Sequence, residues 1–145
     1  MSDQTNKTEA TNRTGPRKPA ATATILIRVP KSDAFMRAGA DAIRALSLTR
    51  GRFVTLRVAI IEGIERLIDD DKMKVLILIK QYDRGKYVGD ATYNVTFSSD
   101  EIRLMRECKA RIQAVTLQKI KQYELIFLAL LRLQMDAAST NNQAR

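Results

Sequence analysis

The sequence predicts a mostly α-helical α+β fold in which two strand–helix–helix units of one chain form an intramolecular pseudo-dimer, joined through a two-stranded antiparallel β-ribbon. Three observations predict it. A short β-branched run, Thr24-Ile25-Leu26-Ile27-Arg28-Val29, stops at Pro30 and is followed by two helix-patterned segments. The same order returns from Thr92-Tyr93-Asn94-Val95-Thr96-Phe97, at an offset of 68 residues in the strands and 69 in the last helices. A lone strand with two helices has an unpaired edge and an uncovered apolar face, so each unit needs the partner that the other supplies.

Residues 1–23 are Thr, Asn, Ala, Lys and Pro with almost no large apolar side chains, which predicts a disordered basic tail. Its Arg13, Arg17 and Lys18 either lie against phosphates or simply keep the chain solvated. In the first unit, 24–69, alternation puts Ile25, Ile27 and Val29 on one strand face and Thr24, Leu26 and Arg28 on the other. A one-residue slip would exchange the faces and bury Arg28, so the polar set is the outward one. Pro30 has no N–H to donate and closes the strand. Ser32 is the N-cap of a helix through Leu46, with Phe35, Met36, Ala40, Ile43 and Leu46 as its apolar stripe. Residues 47–51 read as a turn in which Gly51 is free to take positive φ. A second helix follows from about Thr55 to Ile68, with Val58, Ile61, Ile64, Leu67 and Ile68 at helical spacing, and Asp69-Asp70-Asp71 ends it.

Residues 70–91 read as a connector with structure of its own. Either it forms a short hairpin turning at 83–86, or the apolar run 75–79 extends the preceding helix and packs beneath it. The second unit, 92–136, places Tyr93, Val95 and Phe97 opposite in direction to Thr92, Asn94 and Thr96. Ser98-Ser99-Asp100-Glu101 then gives two candidate caps followed by acids in a first turn. The third helix carries Ile102, Met105, Cys108 and Ile112 on one side and Arg103, Arg106, Lys109 and Arg111 over much of the rest. A fourth helix, roughly Gln118 to Met135, is so apolar through 125–131 that it must be buried. Residues 137–145 read as a polar tail.

Composition narrows the function. A chain of 145 residues with 45% hydrophobic content can build one packed domain or two very small ones. Its 25 Lys and Arg against 16 Asp and Glu give +9, which points to a polyanionic partner. There is no His and one Cys, so the usual general bases and most metal sites are missing, and Gly51 and Gly85 are isolated rather than parts of a phosphate-binding loop. The expectation is a protein that is not an enzyme, with no catalytic residues, no metal and no cofactor. Cys108 reads as a small packed residue. The polar N-terminus shows no secretory signal and the apolar runs fall far short of the ~20 residues needed to span a bilayer, so a cytoplasmic protein without a membrane partner is expected.

The order strand, Arg28-Val29-Pro30, helix, then Gly51-Arg52-Phe53-Val54 opening a second helix, resembles the ribbon–helix–helix family of DNA-binding proteins typified by the Arc and MetJ repressors. Two copies in one chain resemble the tandem arrangement of TraY-type and VirC-type conjugation accessory proteins. The second copy departs from the motif: Ser98 stands where Pro30 does, and Ile120 replaces the turn glycine Gly51. The resemblance implies sequence-specific binding of double-stranded DNA, the ribbon entering the major groove. Carried over by position, the base-contacting residues are Thr24, Leu26 and Arg28 with Thr92, Asn94 and Thr96. Arg reads guanine, Asn reads adenine, and Thr is versatile, whereas Leu26 can offer only contact with a thymine methyl. The phosphate-contacting residues would be Arg50, Arg52 and Thr55, and Lys119, Lys121 and Gln122, at the starts of the second helices. An ordinary solvated strand face and solubilising charge are the plain alternatives. The resemblance further implies an accessory factor at a plasmid transfer or partition site, an autoregulator, or a repressor. The implied partners are DNA and a relaxase or other DNA-processing protein, the monomeric pseudo-dimer associating further on DNA in a nucleoid- or plasmid-bound state. Because two different strands would enter the groove, one molecule need not recognise a palindrome. The competing class is a helical protein-interaction adaptor that binds no DNA.

Overall fold

A computed structural model of the chain describes residues 24–82, 89 and 91–143, with side chains as far as Ser139. The basic tail with Arg13, Arg17 and Lys18, and the turn at 83–86, lie outside the described residues. Among those described, the order is β1 (Thr24–Lys31), α1 (Asp33–Arg50), α2 (Leu56–Asp69), α3 (Lys72–Gln81), β2 (Ala91–Ser98), α4 (Ser99–Thr116) and α5 (Gln122–Gln143). The fold is mostly helical, with one two-stranded antiparallel sheet made by β1 and β2. Their register sets Leu26 opposite Thr96, Ile27 opposite Val95 and Arg28 opposite Asn94. Ile27, Val29, Val95 and Phe97 turn inward and are buried, as period-two alternation requires.

Each helix starts where a side chain can take up a stranded N–H. The Ser32 hydroxyl accepts from the Phe35 N–H at 3.1 Å, Thr55 accepts from Val58 at 3.2 Å, and Asp71 accepts from Lys74 at 2.8 Å. Ser98 and Glu101 exchange bonds in a full capping box at the start of α4. The inward stripe of α1 is Phe35, Ala38, Ala42 and Leu46, so Met36 and Ala40, expected in it, are exposed instead; with the α4 stripe of Ile102, Met105, Cys108 and Ile112 it encloses α2 and α5, and residues 125–130 of α5 are buried all round. Where α2 crosses α5, a Cβ on Gly63 would lie 2.3 Å from the Ala129 carbonyl oxygen, so only glycine lets these backbones approach so closely.

The two halves share a spacing of 66 residues, which carries Ser32 to Ser98 at the caps, Gly51 to Leu117 at the helix ends and Leu56 to Gln122 at the second helix starts. Residues related by that spacing meet twice: Arg28 faces Asn94 in the ribbon, and Gly63 lies against Ala129 in the helix crossing. The spacing also pairs Arg66 with Arg132 and Asp70 with Asp136, and these four are linked across the halves, Arg132 also bonding Asp136 of its own half. Arg66 reaches Asp136 at 2.5 Å, and Arg132 reaches Asp70 at 2.6 and 3.0 Å.

The structure departs from several sequence expectations. The offsets of 68 and 69 become 66, because alternation is unchanged by a slide of two residues and a slide of three nearly restores a helical face. Pro30 does not close β1: the strand runs on to Lys31 with Pro30 opposite Thr92, tolerated because one edge of each strand in a two-stranded sheet has no ladder to serve. The first helix does not stop at Leu46 but continues to Arg50, the Thr49 hydroxyl donating to the Ala45 carbonyl at 3.0 Å inside the helix. The fourth helix begins at Gln122, not Gln118, since Leu117 ends α4 in the left-handed region at φ 57. Leu117, and not Ile120, therefore stands in the place of Gly51, while Ile120 is buried and its N–H donates to the Gln113 side chain at 2.8 Å. The run 75–79 belongs to a separate helix, since Asp70 ends α2 and Asp71 caps α3. Residues 137–143 continue α5 instead of forming a tail, the two alanines after Asp136 being strong helix formers.

Candidate nucleic-acid interface

The outward face of the ribbon is built by alternation and by helices that cover only the other side. Thr24, Leu26 and Arg28 of β1 and Thr92, Asn94 and Thr96 of β2 are all exposed. Facing residues of an antiparallel pair share a face with Cβ atoms ~5 Å apart, so Arg28 and Asn94 present a guanidinium and a carboxamide side by side at the middle of the ribbon. Leu26 and Thr96 form the next outward pair on one side, and Pro30 and Thr92 the next on the other. Alternation also predicted Ile25 and Tyr93 as inward residues, and both stay 40% exposed. They sit toward opposite ends of the ribbon, across from the fully buried Phe97 and Val29, and Tyr93 packs its ring on Phe35 with centroids 6.2 Å apart.

The helix-start residues are not equally disposed. Arg52 is exposed, and its N–H closes the turn onto the Ser47 carbonyl at 3.1 Å. Arg50 is held by Glu62 at 2.6 Å, so its charge is already answered within the chain. The Thr55 hydroxyl is spent as the α2 cap. The first turn of α2 contains no acidic residue, which leaves its positive dipole end receptive to an anion. At the other start, Lys119 and Lys121 are exposed just ahead of α5 and Gln122 is its first residue. There the Lys121 N–H donates to the buried Glu124 carboxylate at 2.9 Å, and the Lys121 ammonium sits 5.9 Å from the Tyr123 ring centroid. An in-chain carboxylate thus takes the N–H leading into α5, whereas at the α2 start the in-chain carboxylate Glu101 takes only the Arg57 side chain.

Sequence reading missed three participants in this region. Pro30 extends the outward row, a place signalled by alternation continuing past Val29. Lys31 adds an exposed cation at the end of β1. Arg57, in the first turn of α2, forks onto Glu101 at 2.9 and 2.6 Å and ties the α2 start to the first turn of α4. Burial pushes the Glu101 carboxyl up, but the bonds from the Ser98 N–H and Arg57 outweigh it and hold it below the usual carboxylate range.

Cys108 is wholly buried in α4, and that burial pushes its thiol up to about 12, so it remains protonated and unreactive at neutral pH. Among the described residues no group of three or more His, Cys, Asp or Glu is placed to hold a metal ion. No helix among them is long and apolar enough to cross a membrane. No protein-family model, curated protein or solved structure matches the chain.

Proposed function

We propose that the chain is a double-stranded DNA-binding protein of tandem ribbon–helix–helix architecture, its two halves forming a pseudo-dimer within one molecule. The 66-residue spacing, with its two self-meeting points and its exchanged ion pairs, supports the pseudo-dimer. The observation that carries the DNA reading is the outward pairing of Arg28 with Asn94 at the centre of an exposed ribbon. A two-stranded ribbon fits the major groove, and Arg and Asn are side chains suited to bidentate recognition of guanine and of adenine. Arg52 and the α2 start, with Lys119 and Lys121 ahead of α5, supply phosphate contacts that fix position without choosing sequence. The net charge of +9 favours the same partner.

In this reading the biological role is that of an accessory factor at a plasmid transfer or partition site, with autoregulation, acting beside a relaxase or other DNA-processing protein; a transcriptional repressor shares the same chemistry. The test is fluorescence anisotropy with a labelled random duplex of about 30 base pairs at low salt. Binding that weakens steeply with salt, and weakens further in Arg28→Ala with unchanged circular dichroism, supports the reading. Indifference to duplex at low salt contradicts it. One observation favours a second reading as a protein-interaction adaptor: α3 exposes Met73, Leu76 and Ile77 along one face. Absence of DNA binding in the same titration would move the assignment there.

A further inference from the structure

A two-fold-related ribbon has one position where a residue faces its own counterpart, and here the spacing fixed by the helix caps puts that position at Arg28 and Asn94. In a homodimer both residues would be identical, and the two base pairs flanking the axis would be read alike on opposite strands. This chain places unlike groups there: a guanidinium with donors only, and a carboxamide with one donor and one acceptor end. We infer that the protein recognises a directional, non-palindromic duplex centred on one G·C and one A·T pair, Arg28 taking the guanine of one strand and Asn94 the adenine of the other.

The flanks carry the asymmetry outward. Same-face neighbours along a strand lie ~6.6 Å apart, close to two base-pair steps of ~3.4 Å. Under the 66-residue spacing Leu26 answers to Thr92 and Pro30 to Thr96. One flank therefore holds Leu26 with Thr96, and the other Pro30 with Thr92. Leu26 is 50% exposed and long enough to cover a thymine methyl, whereas the half-buried Pro30 ring reaches less far and has no donor. The side with Leu26 thus favours a thymine that the other side does not demand, and the orientation of the molecule on DNA is set by sequence.

The inference rests on the ribbon being the DNA-reading face, and the experiment separates the two. Full-length protein is used to select duplexes from a randomised library, and affinities for the selected sites are measured by anisotropy. Because Arg28 and Asn94 are exposed, Arg28→Asn and Asn94→Arg keep the fold. The wild-type consensus is expected to be directional, with a G·C to A·T change beneath Arg28 weakening binding about 5- to 150-fold. Arg28→Asn should convert the centre to adenine on both strands, and Asn94→Arg to guanine on both. A palindromic wild-type centre, a centre unmoved by either substitution, or duplex binding with no sequence enrichment overturns the inference and leaves DNA binding standing. No retention of duplex at low salt removes the DNA-binding reading and the inference together.

Discussion

Glu101 shows how one side chain can serve two ends of the structure. It closes the α4 capping box through the Ser98 N–H and receives both prongs of Arg57 from α2. Its folded acidity is stronger than its unfolded one, so its contribution is complete above about pH 4.5 and is lost as pH falls through the lower folded value. Glu101→Gln should therefore be less stable than wild type at pH 7, with the gap closing toward pH 3, as read from urea midpoints at both values. Gly63 works by absence. Alanine raises intrinsic helix propensity by up to ~1 kcal/mol, but its Cβ would fall 2.3 Å from the Ala129 carbonyl and push α2 from α5. Gly63→Ala should lose roughly 1–3 kcal/mol of stability by chemical denaturation; a stabilised variant would mean that the crossing is looser than described.

At the scale of elements, much of the fold is legible in the sequence. Alternation separates the two faces at Ile27, Val29, Val95 and Phe97 against Leu26, Arg28, Asn94 and Thr96, but not at Ile25 and Tyr93, which it sets inward and which stay 40% exposed. The α4 stripe of Ile102, Met105, Cys108 and Ile112 was equally plain. Ends were less so: Ser47, Thr49 and Arg50 look like turn residues, yet Thr49 bonds inside its own helix. The start of α5 was hidden because a left-handed Leu117 gives no sequence sign, such a conformation costing an ordinary residue ~1–2 kcal/mol. α3 was ambiguous because an apolar run of 75–79 suits a strand or a helix, and only the Asp71 cap decides. The unequal helix starts were invisible too, since the Glu124 bond to the Lys121 N–H depends on where α5 begins. In the proposed function these starts touch phosphate. Removing one such cation, as in Arg52→Ala or Lys121→Ala, should reduce the slope of log affinity against log salt by about 1 without changing the preferred sequence. An unchanged slope in both variants would place the phosphates elsewhere.

For the molecule as a whole, the proposed pseudo-dimer joins both halves in one chain and so removes the need to find a partner before a ribbon can form. The ion pairs Arg66–Asp136 and Arg132–Asp70 cross between the halves, beside Arg66–Glu62 and Arg132–Asp136 within them, and the buried Asp70 carboxylate is matched by Arg132 from the other half. Folding should be concentration-independent: the melting temperature should stay constant over a ~100-fold dilution, where an obligate dimer would lose stability by mass action. The central claim is that the outward ribbon face meets duplex DNA. Its most direct measurement uses the protected Cys108, which leaves a newly introduced surface cysteine as the reactive one. A photo-crosslinker on Thr96→Cys should join the protein to duplex DNA in high yield, while the same probe on Met73→Cys of α3 should give little. Efficient crosslinking from α3 with none from the ribbon would contradict the account.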